Sequence, residues 1–379
     1  MNSSAALAHL LDRGRLTRND LRELTGLSKP TVSDALRRLT EAGLATVVGH
    51  VSAGPGPNAE VYTANPEAAF AVAVSVRDSG GSETTALAAA VCDLTGEVRG
   101  RQESSVDIGR TTPVSGVAEA VTRLCADARV PANRVGHVQL GVAGSYDPRT
   151  QAIRHVSDPG WNAPGLVGEI RSRLAAAVSV ENDVNLAAIA ERRRGVGAGA
   201  DGFALLWLSG GLGLAIDLGG TLLRGARGGA GEIGYMPLVA PEGAAQGTVD
   251  FQDLVGGPAV LALAARYGIP GRTPAEALAA AIGAGSEAPF LTALADRIAV
   301  GLAAVVAVLD PPLVVLAGEV GQAGGAVLRD AVAAALTRAT PLETVIAASS
   351  VSDDAVLLGA LDAGLDAVRQ TLISSMHTS

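Results

Sequence analysis

Apolar residues near the start of the chain recur at helical spacing in three short segments. Thr17 and Ser28 stand before the second and third segments, where a hydroxyl can accept a hydrogen bond from the first turn of a helix. Pro30 fits the first turn of the third segment, and Gly43 ends that segment. The pattern therefore predicts helices over residues 4–11, 18–25 and 31–42.

Two short strands are predicted after the third helix. They cover residues 44–48 and 60–63, and the glycine- and proline-rich loop 49–58 separates them. The order helix, helix, turn, helix and hairpin is typical of a winged helix-turn-helix, in which the second helix of the pair lies in the major groove of DNA. A three-helix bundle with a solvated polar face is the alternative interpretation.

The third predicted helix has an apolar face and a polar, basic face. Serine and threonine hydroxyls can bond phosphates or base edges, and arginine can bond guanine through two N–H groups. The apolar face consists of Val32, Ala35, Leu36 and Leu39. The candidate DNA-binding residues are Ser28, Lys29, Thr31, Ser33, Arg37 and Arg38, together with His50 in the predicted wing.

Beyond the turn at Asn65-Pro66, short apolar runs alternate with helical patterns. The predicted strands cover residues 70–76, 86–94, 135–142, 175–180, 203–209, 213–217, 313–317 and 344–350. The predicted helices cover residues 114–128, 166–174, 259–267, 274–284, 287–309, 330–337 and 353–373. Because strands alternate with helices in two successive series, we predict two α/β lobes around a cleft. The expected units are the winged helix-turn-helix at 1–64, a smaller lobe at 65–183 plus 354–373, and a larger lobe at 184–353.

Asn182 and Asp183 lie where a buried strand is predicted to end and a helix to begin. Ligands of open α/β sheets bind beyond the carboxyl ends of the strands. A carboxylate beside a carboxamide could hydrogen-bond a polyhydroxylated ligand there, and in an enzyme the Asp could take a proton from a sugar hydroxyl. The alternative is that one of the two residues merely caps the helix.

The composition is typical of a cytoplasmic globular protein. Nearly half of the 379 residues are apolar, yet every apolar stretch of membrane-spanning length is interrupted by a charge or a turn residue. Cys92 and Cys125 have no metal-site spacing, and the polar start of the chain does not resemble a secretory signal. We therefore expect a reducing, cytoplasmic setting and no membrane partner.

The charge of the chain is unevenly distributed. The net charge is −9, which argues against a protein that coats nucleic acid. Residues 1–64 hold seven basic and six acidic residues, whereas the remainder holds 22 basic and 32 acidic residues. A segment that escapes the acidity of the rest is compatible with docking on DNA.

Four segments together resemble the ROK family of repressors, open reading frames and kinases, and its regulator branch in particular. They are Gly141-Val142-Ala143-Gly144 with Asp147-Pro148, Pro159-Gly160-Trp161, Glu181-Asn182-Asp183-Val184-Asn185, and Gly228 to Gly234. The resemblance covers essentially the whole chain, including an N-terminal winged helix that the kinases lack. It implies an α/β chain in which a winged helix-turn-helix precedes the two-lobed, actin-like and ribonuclease H-like ATPase fold of ROK sugar kinases.

The resemblance also implies the ligand-binding residues. In the family, the Asn and Asp of the E-N-D-x-N motif and the Glu of the G-E-I-G motif bind sugar, which corresponds to Asn182, Asp183 and Glu232 here. In the kinases that Asp is the general base. Glu232 could alternatively be only a turn or helix cap. The other expected ligand contacts are Tyr235, Trp161 and Gly144.

The chain departs from the kinases at the phosphate-binding turns. The family's D-x-G-G-T turn is matched only loosely by Asp78-Ser79-Gly80-Gly81-Ser82. A literal match at Asp217-Leu218-Gly219-Gly220-Thr221 lies where the family has an ordinary hairpin turn, and we interpret it as such. The segment Gly210 to Gly213 keeps the glycines of the second phosphate loop without its threonines. Efficient phosphoryl transfer requires complete clamping of the phosphate charge.

The zinc site of the family is also missing from the sequence. Tyr235 replaces the histidine that follows G-E-I-G, and residues 239–255 contain no cysteine. Without thiolate or imidazole ligands we expect no structural zinc, and no cofactor is expected. Because the family's histidine also contacts sugar, Tyr235 leaves the identity of the ligand open.

The leading hypothesis is a sugar-responsive transcriptional regulator, most simply a repressor, without kinase activity. Its expected partners are a double-stranded DNA operator, a sugar or sugar derivative, and copies of itself in a homodimer or homotetramer. The rival hypothesis is a sugar kinase with an added DNA-binding domain, in which Asp183 is catalytic. A third hypothesis is a regulator that responds to a protein partner instead of a small ligand.

Overall fold

The computed structural model describes residues 2–51, 58–77, 84–107, 110–154, 160–239, 248–284, 287–351 and 354–378. The helices are α1 (Asn2–Arg13), α2 (Arg18–Thr25), α3 (Lys29–Glu41), α4 (Pro113–Asp127), α5 (Leu166–Leu174), α6 (Asp183–Arg194), α7 (Phe251–Val255), α8 (Gly257–Arg266), α9 (Pro274–Ala284), α10 (Glu287–Leu309), α11 (Gly318–Ala339) and α12 (Ala355–Thr378). The strands are β1 (Leu16–Thr17), β2 (Ala45–Val51), β3 (Ala59–Ala64), β4 (Phe70–Val76), β5 (Thr84–Asp93), β6 (Val98–Asp107), β7 (Val135–Val142), β8 (Ser145–Asp147), β9 (Ala152–Arg154), β10 (Ala177–Asn182), β11 (Gly202–Leu208), β12 (Leu212–Leu218), β13 (Thr221–Leu222), β14 (Pro237–Val239), β15 (Thr248–Asp250), β16 (Leu313–Ala317) and β17 (Val345–Ala348).

The described residues up to Ala64 form a winged helix-turn-helix, called the headpiece below. Thr17 and Asp20 form a reciprocal capping box that starts α2, and Gly26 ends α2 in the left-handed conformation that glycine adopts at little cost. The strands pair in the order β1-β3-β2. The structure confirms the predicted helix over 18–25 with the same first and last residues. The capping box marks its start, and Gly26 marks its end. The tip of the predicted wing lies outside the described residues.

The headpiece packs on the end of α12, mainly through α1. Its core consists of Leu7, Leu10, Leu21, Val32, Ala35, Leu36, Leu39 and Tyr62, with smaller residues between them. Leu372, Ile373 and Met376 of α12 pack against this core. The polar face of α3 stays exposed, as DNA binding requires.

The next two sheets repeat one topology. The first has the strand order β10-β7-β4-β5-β6 and the second the order β13-β12-β11-β16-β17. In each, the earliest strand is central, an antiparallel meander of two strands lies on one side, and two parallel strands lie on the other. The prediction of two α/β units is confirmed, and the second sheet repeats the strand topology of the first.

Each sheet is covered by helices that bury its apolar residues. α4 and α5 cover one face of the first sheet, and α6 and α12 cover the other. In the second sheet, α7 to α11 contribute to one large core that includes Phe251, Phe290 and Ile298. α12 therefore returns the chain to the first sheet after the second has been completed.

α10 is the one described helix that is long and apolar enough, within Pro289–Leu309, to cross a membrane. Half of that stretch is buried inside the protein. Phe290, Ile298, Leu302 and Val306 belong to the core of the second sheet. Packing against protein therefore accounts for its apolar character.

Three secondary-structure predictions were incomplete. β6 was missed because it is a largely exposed edge strand. Most of its side chains are polar, among them Arg99 and Arg101. α11 starts at Gly318, well before the predicted residue 330, since Gly321, Gly324 and Gly325 obscure the helical pattern. β2 continues to Val51, into the region that was predicted to be loop.

We expect Leu36→Ala to lower the free energy of unfolding of the headpiece by about 2–5 kcal/mol, because Leu36 is only 1% exposed and its removal leaves a cavity. Leu24→Ala, at a partly exposed position of α2, is the matched control and should change little. Since a chain of several units need not unfold in one step, the measurement is hydrogen exchange of the headpiece amides in the full chain. Equal exchange in both variants would contradict the assigned core.

Candidate ligand cleft and DNA-binding helix

Asn182 connects three segments at the carboxyl end of the first sheet. It ends β10, and its side-chain oxygen accepts hydrogen bonds from the backbone N–H groups of Val184 (2.9 Å) and Asn185 (3.1 Å). Its side-chain nitrogen donates to the carbonyl of Gly144 at 3.1 Å. The side-chain oxygen of Asn182 therefore caps α6, as the alternative interpretation of this residue expects. Its amide nitrogen retains one N–H group with which it could bind a ligand.

Asp183 is the first residue of α6 and is half-buried. One of its carboxylate oxygens accepts a hydrogen bond from the N–H of Val184 at 2.9 Å. The positive end of the helix dipole favours a negative charge at this position. The carboxylate thus stands at a helix start beyond the end of a parallel strand, where α/β proteins place ligands.

The outer residues of the same motif form its framework. The carboxylate of Glu181 accepts hydrogen bonds from the side chain of Asn185 at 2.9 Å and from the backbone N–H of Asn182 at 3.1 Å. Its other oxygen pairs with Arg224 at 2.5 Å. Because Arg224 follows β13 of the second sheet, this ion pair links the two sheets across the cleft. Arg224 could not be selected from the sequence, because its partner is 43 residues away.

A glycine-rich loop carries Glu232 to the same region. Gly228 and Gly231 both have positive φ, and a Cβ at either position would clash with backbone, at Tyr146 of β8 and at Leu214 of β12 respectively. Only glycine permits this close approach. The loop is therefore held between the strand next to Gly144 and the second sheet, beside the junction of β10 and α6. Glu232 is half-buried there and is followed by a single 3-10 turn, Ile233–Tyr235.

The remaining predicted ligand residues lie in different surroundings. Gly144 is buried, and its carbonyl accepts the hydrogen bond from Asn182. Tyr235 is 59% exposed, so the greater part of its side chain faces solvent. Trp161 is 2% exposed and belongs to the core of the first sheet, where packing accounts for its presence.

The segments that resemble phosphate loops have structural partners. Asp217 pairs with Arg192 and accepts a hydrogen bond from Gly220 N at 2.8 Å, so the literal D-x-G-G-T match is the β12–β13 hairpin turn that we predicted. The carbonyl of Gly210 accepts hydrogen bonds from Gly257 N (3.0 Å) and from the Gln252 side chain (3.3 Å). The segment from Asp78 to Ser82 lies outside the described residues. No group of three or more potential metal ligands occurs within the part of the chain that the structure describes.

The predicted DNA-binding residues share the exposed side of the headpiece. The hydroxyl of Ser28 caps α3, lying 3.4 Å from Thr31 N and 2.7 Å from the Thr31 hydroxyl. Arg37 pairs with Asp34 and Glu41, and Arg38 pairs with Asp34. The Arg37 guanidinium lowers the pKa of the Asp34 carboxyl. Exposed pairs of this kind contribute little to stability, so both arginines can exchange these partners for DNA. Lys29 and His50 are exposed, and Ser33 is half-buried.

Comparison with known proteins identifies two families in the chain. The sequence model of the ROK family matches residues 78–365, and that of the MarR family matches residues 2–54. The bifunctional enzyme NanE/NanK of Brucella suis biovar 1 (strain 1330) is 31% identical over 296 residues, which are 75% of this chain and 52% of the relative. The xylose repressor of Bacillus subtilis (strain 168) is 23% identical over 245 residues, which are 63% of this chain and 60% of the relative. The chain thus spans between half and two thirds of the length of these curated relatives.

A solved structure matches along the whole chain. It is the crystal structure of a ROK family transcriptional regulator, a homologue of the E. coli MLC protein, with a TM-score of 0.75. The match covers 98% of both chains at 18% sequence identity. At this identity the likeness establishes the fold, in which a winged helix-turn-helix precedes two lobes of the ROK type.

We expect Asn182→Ala to destabilise α6 by about 1 kcal/mol, because the variant loses the cap of that helix. Asn182→Ser is the matched control, since serine also caps helices but lacks the carboxamide N–H group that donates to Gly144. Hydrogen exchange of the α6 amides in the two variants gives the comparison. If both variants protect α6 as well as the wild-type protein does, the cap contributes nothing measurable and this assignment fails.

Proposed function

This chain belongs to the ROK family, and on that premise we propose that it is a sugar-responsive transcriptional regulator that acts as a repressor. The observation that carries the proposal is the exposed polar face of α3 on a headpiece that is anchored to the lobes mainly through α1. A family member whose only task was catalysis would have no use for such a face. The match of residues 2–54 to the MarR family supports the same conclusion.

The ligand response requires two arrangements of the lobes with different affinities for the ligand. We propose that a sugar binds between Asn182 and Asp183 on one side and Glu232 on the other, and favours a closed cleft. The Glu181–Arg224 pair spans the same gap at 2.5 Å and would have to rearrange or break with closure. In a homodimer, closure moves the two headpieces out of register with half-sites about one helical turn apart, or a multiple of it, and the operator is released.

The setting that we propose follows from these partners. A regulator that binds an operator works beside the chromosome, in the cytoplasm. An even number of copies, two or four, matches a two-fold operator. No cofactor is required for this cycle, because binding energy alone shifts the equilibrium between the two arrangements.

A sugar kinase is the second candidate function. The Brucella relative is a bifunctional enzyme, and Asp183 stands where a general base would be needed. Against this function, the literal D-x-G-G-T match is a hairpin turn whose Asp217 is engaged with Arg192, and the segment Gly210 to Gly213 lacks the threonines of the family's second phosphate loop. Coupled ATPase measurement over a panel of hexoses and amino sugars discriminates between the two. Turnover that disappears in Asp183→Ala would establish the kinase.

Arg38→Ala should weaken DNA binding by roughly 1–3 kcal/mol if Arg38 contacts a base, and should relax the sequence preference at that position. If Arg38 contacts a phosphate, the affinity for all DNA sequences falls by the same factor. The slope of log affinity against log salt concentration then decreases in magnitude by roughly one. The probe is a duplex selected by the wild-type protein from a random library, titrated at several salt concentrations. Arg272→Ala, at an exposed arginine before α9, is the control. Failure to select any sequence, with or without sugars, would contradict the proposed function.

Glu232→Ala should abolish the release of DNA by sugar while leaving operator affinity within about twofold, because Glu232 lies in the cleft and far from α3 in the chain. Operator binding is measured with and without each sugar of the panel. Glu343→Ala, at an exposed acidic residue before β17, controls for the loss of one negative charge. A variant that still releases DNA would place the ligand elsewhere, and a wild-type protein that responds to no sugar would favour regulation by a protein partner.

A further inference from the structure

A second cavity of about 230 Å³ lies outside the cleft, between the end of α6, the side of α12 and the turn that joins β5 to β6. Arg194, at its edge, is the last residue of α6, and Asp183 is the first. At a rise of about 1.5 Å per residue, the two ends of the helix are roughly 16 Å apart. The cavity is therefore separate from the proposed sugar site.

The lining of this cavity is strongly basic. Arg193, Arg194 and Arg369 face it, and among its lining residues, all of them described, Asp362 is the only carboxylate. Cys92 adds no charge, because burial raises the pKa of its thiol to about 12. Asp366 lies just outside and holds Arg193 at 2.6 Å. Even when that pair is set aside, two guanidiniums face one carboxylate.

The two other arginines have donors to spare. Arg194 donates to a single carboxylate oxygen of Asp362, and Arg369 gives two of its N–H groups to one carbonyl, that of Leu94 (3.0 and 3.2 Å). A guanidinium has five N–H donors, so each has unused ones. Burial lowers the pKa of Arg369, which shows that its charge is poorly compensated where it lies. An anion in the cavity would compensate it.

The size and shape of the cavity restrict the anion. Its volume lies below the range of about 300–1,000 Å³ that drug-sized ligands occupy, so the occupant is small. Paired arginines bind phosphate oxygens in bidentate fashion, and a phosphate monoester carries about −1.5 to −2 charges near neutral pH. A phosphoryl group offers three oxygens to the spare N–H donors of the two guanidiniums, whereas a carboxylate offers two. Leu358, Leu361 and Leu365 of α12 provide an apolar wall for the body of the ligand.

We propose that this cavity is a second effector site, and that it binds a small phosphorylated metabolite no larger than a monosaccharide phosphate. Arg194 and Arg369 bind the phosphoryl oxygens, and Arg193 supports them from the outer side. The occupant joins α6 to α12 and shares Arg194 with Asp362.

The cavity borders the junction with the headpiece. Arg369 precedes Leu372 and Ile373 by one helical turn and Met376 by two, and these three residues pack on the headpiece core. A dianion bound to Arg369 therefore acts on the end of α12 that holds the headpiece. This regulatory step depends on the proposed function, but the binding step does not.

The test is calorimetric titration of the full chain with inorganic phosphate, with a panel of hexose and pentose phosphates, and with the corresponding neutral sugars. The key variant is R194Q/D362N, which removes both charges of one pair so that no buried carboxylate is left without a partner. We expect its affinity for the phosphorylated ligand to fall at least tenfold. Arg194→Lys keeps the charge but loses the paired N–H donors of the guanidinium. Its affinity for the phosphorylated ligand should lie between those of the wild-type protein and R194Q/D362N.

Two controls locate the ligand. R338Q/D296N removes a comparable pair on the second lobe and should bind the phosphorylated ligand like the wild-type protein. Asp183→Asn should reduce binding of neutral sugars and leave phosphate binding unchanged. Phosphate binding that is lost in Asp183→Asn but kept in R194Q/D362N would assign the ligand to the cleft and overturn the proposal. Absence of binding by phosphate and by every phosphorylated sugar would also overturn it, while leaving neutral-sugar and DNA binding as separate tests of the proposed function.

Discussion

The charged end of α6 is the interaction on which the arrangement of the lobes depends. Four consecutive charged residues, Glu191 to Arg194, end this helix, and they point to different parts of the protein. Glu191 accepts hydrogen bonds from Val196 N and the Ser349 hydroxyl, and Arg192 holds the buried Asp217 of the second sheet. Arg193 and Arg194 bind Asp366 and Asp362 of α12. Basic residues at a helix C-terminus are also favoured by the helix dipole. One helix end thus fixes both lobes and the returning helix.

The same helix connects the two places where a ligand can act. Its first residue stands in the cleft, its last residue borders the basic cavity, and the helix that it grips ends against the headpiece. Contact alone is not coupling, because a ligand shifts an equilibrium only by its differential affinity for two states. What the contacts supply is a continuous series of packed elements, from the cleft end of α6 through α12 to the headpiece, along which the proposed coupling runs.

Much of the fold could be predicted from the sequence where local signals are strong. The bounds of β4, β7, α5, α9, α10 and β16 agree with the predicted ones, because continuous apolar runs or a 3.6-residue period define them. β6 and the first half of α11 could not be found in this way, since a polar edge strand and a glycine-rich helix both resemble loops.

Within the candidate site, the sequence identified Asn182 and Asp183, and their resemblance to a family motif added Glu232. The ion-pair partners could not be found in this way. Arg224 pairs with Glu181, 43 positions away, and Arg194 pairs with Asp362, 168 positions away. Only the folded chain brings such residues together. Trp161 was expected to contact the ligand because it lies in a family motif, yet it packs in the core of the first sheet. An aromatic residue beside a motif is equally suited to either position.

The late position of α12 has a consequence for the order in which the protein forms during translation. The second sheet is built from one continuous stretch, from β11 to β17, and can be completed as it leaves the ribosome. The first sheet is made earlier, but one of its faces is covered only by α6 until α12 emerges, almost 300 residues after β4 begins. Such distant contacts form slowly. Throughout most of their synthesis, nascent chains therefore expose the part of this face that α12 covers later, and this is the state that chaperones would need to protect.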